Sequence, residues 1–140
     1  MPVAHLHVVG ATAEQRRRLG AEVTDIYATV LDAPVERIRV FVVDHAPEAV
    51  TVAGVNCADG GAAAPFFTVL VFADRSTEQR QELLKQISQL LADVLQVDLS
   101  YVRGQIVPVD PDDWGIAGMP AAVLRRQEIE ARAAGKEGTS

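Results

Sequence analysis

The sequence has one cysteine, no excess of positive charge and no apolar run long enough to cross a bilayer. Cys57 has no partner for an intramolecular disulfide, so nothing calls for an oxidising compartment. Thirteen Lys and Arg against nineteen Asp and Glu leave a formal net charge of −6, which argues against a nucleic-acid surface. An anionic ligand must therefore be held by a few local arginines. The N-terminus lacks a positively charged segment, and its apolar stretch Val3 to Val9 carries two histidines, which excludes a secretory signal pattern. The expected setting is cytoplasmic, with no membrane and no nucleic acid as partner.

What remains is a chain of 140 residues, 49% hydrophobic and 23% charged, a composition that folds and a length that suits one domain. It contains a repeat. "AEQRRRL" from Ala13 lies over "TEQRQEL" from Thr77, an offset of 64 that also carries Arg39 onto Arg103. Pro2 and Pro65 are 63 apart, so one residue separates the copies ahead of the helix. The expected organisation is a single domain over 1–126 with repeats at about 2–56 and 65–126. A glycine/alanine-rich link at 57–64 joins the repeats, and a polar tail at 127–140 is expected to fray.

Each copy reads strand, helix, strand. "VAHLHVV" and "FFTVLVF" are short runs rich in β-branched and aromatic residues. Thr12 and Ser76 follow as N-caps, with Glu14 and Glu78 in the first helical turns. Leu19, Val23, Ile26 and Val30 step by 4, 3 and 4, and Leu83, Ile87, Leu90 and Val94 repeat the rhythm. "IRVFVV" and "VRGQIVPV" close the copies, the second weakened by Gly104 and Pro108. The fold class is α/β (α+β): tandem β-α-β units forming a four-stranded sheet with two helices on one face. The opposite face is expected to expose Val40, Val42 and Val69, for which oligomerisation is the remedy.

These features resemble the tautomerase superfamily, the group of 4-oxalocrotonate tautomerase. The proline at the head of each copy, "DRSTEQR", Arg103 in the closing strand and "DPDDWGIAGMPAA" carry the resemblance, which covers the chain to about Arg126. It implies a tautomerase/MIF-like trimer of fused two-copy chains, related to cis-3-chloroacrylic acid dehalogenase and malonate semialdehyde decarboxylase. A small carboxylate is the implied substrate.

An N-terminal proline, freed by methionine removal, is a secondary amine able to act as general base near neutral pH. Pro2 takes that role, whereas the nitrogen of Pro65 lies inside a peptide bond and cannot. The resemblance makes Arg75 the carboxylate-binding arginine of the same site, while the matching position in the first copy is Ala11. Arg39 and Arg103 are equivalent candidates for stabilising an enolate, and the sequence does not choose between them. Trp114 matches a pocket-lining aromatic, Asp113 a water-activating acid of the dehalogenase, and Tyr27 a helix position near its histidine. Phe72 and Ala73 stand where the dehalogenase and the decarboxylase have a further arginine.

His5 and His7 share a strand face but lack a third ligand, so no metal is expected, and no cofactor. Three functions stay open. A cofactor-independent tautomerase acting on a 2-oxo or enol acid leads, ahead of a hydratase or dehalogenase using Asp113 and a non-catalytic trimeric binding module.

Overall fold

Thr12 and Ser76 each accept a hydrogen bond from the N–H three residues on, and the Gln15 and Gln79 side-chain oxygens accept one from the cap N–H. These two capping boxes start the two long helices of the structure, a computed structural model that describes residues 1–138. The first copy runs β1 (Val3–Val9), α1 (Ala13–Leu31), β2 (Arg39–His45) and a small hairpin of β3 (Thr51–Val52) and β4 (Val55–Asn56). The second runs β5 (Phe66–Phe72), α2 (Thr77–Leu95), β6 (Arg103–Val109) and a hairpin of β7 (Gly115–Ile116) and β8 (Met119–Pro120). Two helices follow, α3 (Ala121–Leu124) and α4 (Arg126–Gly138).

The repeat extends to backbone detail. Asp32 and Gln96 end the long helices in the left-handed conformation, at φ 50° and 57°. Ala53–Gly54 and Ala117–Gly118 turn the two hairpins with positive φ at both residues, as a two-residue turn between twisted strands requires. The hairpins were not foreseen, because two-residue strands leave no periodicity to read.

The sheet order is β2-β1-β5-β6. Each copy pairs its own two strands in parallel, and β1 meets β5 antiparallel at the centre, with Val3 opposite Leu70 and His7 opposite Phe66. This seam turns the second copy end for end relative to the first. The helices consequently run antiparallel, and each capping-box glutamine reaches the last turn of the other helix. Gln15 donates to the Val94 carbonyl at 3.1 Å and Gln79 to the Val30 carbonyl at 3.3 Å. Carbonyls that a helix end leaves unpaired are thus satisfied by the neighbouring repeat.

Ala4, Leu6 and Val8 of β1 and Phe67, Val69 and Val71 of β5 are buried against Leu19, Val23, Tyr27 and Leu31 of α1 and Leu83, Ile87 and Leu91 of α2. Ile26, Val30 and Leu90 flank that stripe and are only partly buried. The expectation that Val40, Val42 and Val69 lie on the uncovered face is corrected by the strand register. Ala4 stands opposite both Val40 and Val69, and Leu6 opposite Val42, so all three share the helix-covered face. The open face instead carries Phe41 and Phe66, 52% and 41% exposed, together with His5, His7, Val43 and His45. Among the described residues no helix is long and apolar enough to cross a membrane.

The polar tail carries a helix over 126–138, and 139–140 lie outside the described residues. Two ion pairs tie α4 to the body. Arg37 forms a bidentate pair with Glu128 at 2.7 and 2.9 Å, and Arg132 meets Asp74 at 2.7 Å. Local sequence could not announce this, since both partners are remote in the chain.

Gly104 is the weak point read in β6, and the fold supplies its reason. It stands opposite Phe67, whose fully buried ring lies over it; a Cβ there would collide with the ring carbons. Gly104→Ala should therefore lower stability by about 1–3 kcal/mol through overpacking, read as a lower urea midpoint with an unchanged slope.

Candidate active site

The antiparallel seam decides which residues can meet. The head of β1 lies beside the head of β2, with Val3 opposite Arg39, and beside the end of β5, with Val3 opposite Leu70. Because β6 runs parallel to β5, its end, and the hairpin after it, come to the same edge. Pro2, Arg39, Arg75 and Trp114 therefore collect at one end of the sheet, though they lie far apart in the chain.

Two cavities adjoin there. One, of about 600 Å³, is bordered by Met1, His5, Arg37, Arg39, Trp114 and Arg125 among others. The second, of about 420 Å³, is bordered by Met1, Asp32, Phe72, Arg75, Arg125 and Arg132 among others. Met1, Arg37 and Arg125 border both. Pro2 is buried at the head of β1, and its carbonyl accepts the Arg39 N–H at 3.2 Å. Pro65 holds the same bond with the Arg103 N–H in the second copy, so the prolines are structurally equivalent.

The electrostatics favour a neutral amine. The terminal amine of Met1 is lowered from 8.0 to about 6, first by burial and then by the charges of Arg125, Arg37 and Arg39. Arg37 is compensated by Glu128, whose carboxyl is held below its usual value by that pairing. Among the described residues Arg39, Arg75 and Arg125 are in no ion pair. Arg75 is half-buried and donates to the Leu31 carbonyl at 2.8 Å, at the C-terminal end of α1. Burial and the neighbouring Arg132 lower its pKa from the ordinary guanidinium value, against the opposing pull of Asp74.

The remaining candidates border neither cavity. Arg103 heads β6 at the opposite end, exposed, and donates to the Ser100 and Val102 carbonyls. Tyr27 is in the core: it is 0% exposed, and its hydroxyl donates to the Val3 carbonyl at 3.0 Å. Burial pushes that phenol's pKa far up. Asp113 is exposed, and its N–H closes a turn on the Asp110 carbonyl. It borders neither cavity. Asp110 and Asp112 serve the same turn, the Asp110 carboxylate accepting the Asp112 N–H at 2.9 Å.

His5 stacks on Phe41, with ring centroids 5.6 Å apart, and borders the larger cavity. His7 pairs with His45, their ring nitrogens 2.9 Å apart, and burial followed by His45 and His5 lowers its pKa. Among the described residues no three His, Cys, Asp or Glu gather as a metal site.

Sequence reasoning missed Arg37 and Arg125. Arg37 stands two residues before Arg39 at the same strand head, a position that could have flagged it. Arg125 lies in "VLRRQE", a stretch that has no counterpart in the first copy and gives no local signal.

The family described as "Tautomerase enzyme" matches the chain twice, over residues 2–60 and 65–123. The 2-hydroxymuconate tautomerase of Pseudomonas sp. (strain CF600) is 32% identical over 62 residues, 98% of its own length and 44% of this chain, so it corresponds to one copy. A crystal structure of a native fused 4-OT matches at a TM-score of 0.81 and 26% identity, over 87% of this chain and 98% of its own. N1, a member of the cis-3-chloroacrylic acid dehalogenase family, shares the fold at a TM-score of 0.73 and 17% identity, over 94% of this chain and 99% of its own. The chain belongs to the tautomerase family, with the family's unit present twice.

Proposed function

We propose that this protein is a cofactor-independent isomerase of small 2-oxo or enol carboxylic acids, acting in the cytoplasm as a homotrimer, with Pro2 as general base. The observation that carries the reading is the terminal amine itself: it sits where two cavities meet, and burial and three arginines hold it largely neutral at pH 7. That amine belongs to Met1. Removal of Met1 moves the free amine one residue along, into the same field, and opens the space that Met1 borders in both cavities. A trimer is supported by relatives of the same fold described as fused 4-OT trimers, and by the open face bearing Phe41 and Phe66.

In the mechanism, the neutral Pro2 nitrogen takes a proton from the enol oxygen or an acidic carbon of the substrate. The negative charge that develops is delocalised over oxygen and the conjugated carbons, and Arg39 stabilises it across the larger cavity. Arg75 grips the carboxylate from the smaller one. The prolinium then returns the same proton to a different carbon, which leaves the base neutral and the atoms of the substrate unchanged in number. Trp114 borders the larger cavity, where its apolar ring limits water, which keeps the amine neutral and the proton in the site. Arg103, at the opposite end beside Pro65, has no terminal amine to serve.

Two outcomes are expected. Intact mass will show Met1 removed, and Pro2→Ala will lower kcat/KM for ketonisation of phenylenolpyruvate or 2-hydroxymuconate by about 10²-fold or more. Wild-type rates in Pro2→Ala, or full activity in a chain retaining Met1, would sink the proposal. Because the cations and burial destabilise the protonated amine, kcat/KM should rise with pH and level off below the ordinary α-amino range of about 7.7–8.0. A pH profile that levels off only above that range would contradict the electrostatic argument.

A further inference from the structure

We propose that Arg125 is a carboxylate-binding residue of the Pro2 site, held at the break before the C-terminal helix α4, which straps itself over the site through Arg37–Glu128 and Asp74–Arg132. The inference rests on the reading of that site given above, and adds a residue from outside the duplicated unit. The family match ends at residue 123, so neither Arg125 nor α4 belongs to the repeat.

Three observations carry it. Arg125 borders both cavities at the point where the terminal amine sits, whereas Arg39 borders only the larger and Arg75 only the smaller. It is in no ion pair among the described residues, while Arg37 and Arg132, which also face the smaller cavity, are each matched by a carboxylate. Of the charges acting on the terminal amine, that of Arg125 is the largest. A guanidinium held in no ion pair beside a partly buried amine raises the local positive potential, and a substrate carboxylate is the group that would relieve it.

The backbone explains how Arg125 is aimed. It occupies the break between α3 and α4, with φ −114° and ψ 17°, outside either helix. Its N–H donates to the Ala121 carbonyl at 2.7 Å and its carbonyl accepts the Ile129 N–H at 3.0 Å, so the residue is fixed from both sides. Glu128 and Arg132 lie one and two turns into α4, on the side that meets the body, and their ion pairs set the direction in which the helix leaves the break. Arg37 grips Glu128 with both nitrogens, a geometry that fixes orientation as well as distance.

The test uses the full-length, Met1-processed protein and cis,cis-muconate, which offers carboxylates but no enol to ketonise. Calorimetry should find that wild type binds muconate and that Arg125→Ala binds it about tenfold more weakly or worse. Arg125→Lys should recover part of the loss, and circular dichroism should show both variants folded. Glu128→Gln should weaken binding by a smaller factor and speed hydrogen exchange in α4, as expected of a positioning residue. In ketonisation assays Arg125→Ala should raise KM with kcat held within about threefold. Wild-type affinity for muconate in Arg125→Ala, or no binding of muconate by wild type, overturns the inference. Arg125-dependent binding supports it even if Pro2→Ala keeps full ketonisation, a result that would remove the proton-transfer reading alone.

Discussion

Pairing β1 with β5 antiparallel, rather than parallel, places two copies of one sequence end for end. Which residues meet at each end of the molecule follows from that choice. The start of one copy is laid against the finish of the other, so residues that follow β5 and β6 surround the head of β1. The same geometry sets the helices antiparallel and lets Gln15 and Gln79 each satisfy a carbonyl in the last turn of the opposite helix. A parallel seam would have stacked like ends together and separated Pro2 from Arg75 and Trp114.

The duplication would give two equivalent edges if the copies had stayed identical, and they have not. Only one proline can follow a removable methionine, so only one edge can present a free secondary amine. Around that edge stand Arg75 where the first copy has Ala11, and Trp114 where it has Val50. Behind it Tyr27, replaced by Leu91 in the second copy, donates to the Val3 carbonyl and anchors the strand that carries Pro2. The added residue in the second copy falls in the turn after β5, where Asp74 takes the ion pair with Arg132 of α4. These differences fall around the amine, while shared features such as the capping boxes hold the scaffold.

Much of this was legible in the sequence because it is local. The strands at 3–9 and 66–72, the helix starts at Thr12 and Ser76, and the repeat are written in short patterns of side chains whose partners are a few residues away. Faces were less legible. Alternation shows that Val40 and Val42 share a face but not which face the helices cover, and the register against Ala4 and Leu6 put them inside. Tyr27 reads in the sequence as core by default and as a pocket group only by resemblance, and its burial is that of the core.

The sequence by itself determined that there are two β-α-β copies, that they resemble the tautomerase family, and that Pro2 but not Pro65 can become a basic amine. The last follows from covalent chemistry, which needs no fold. Only the tertiary structure decided that Arg39, not Arg103, shares an edge with Pro2 within the protomer, and that Arg125, at the break before α4, borders the same two cavities as the terminal residue. Those placements depend on a seam between strands about sixty residues apart and on ion pairs between remote charges such as Arg37 and Glu128, and no local pattern encodes either.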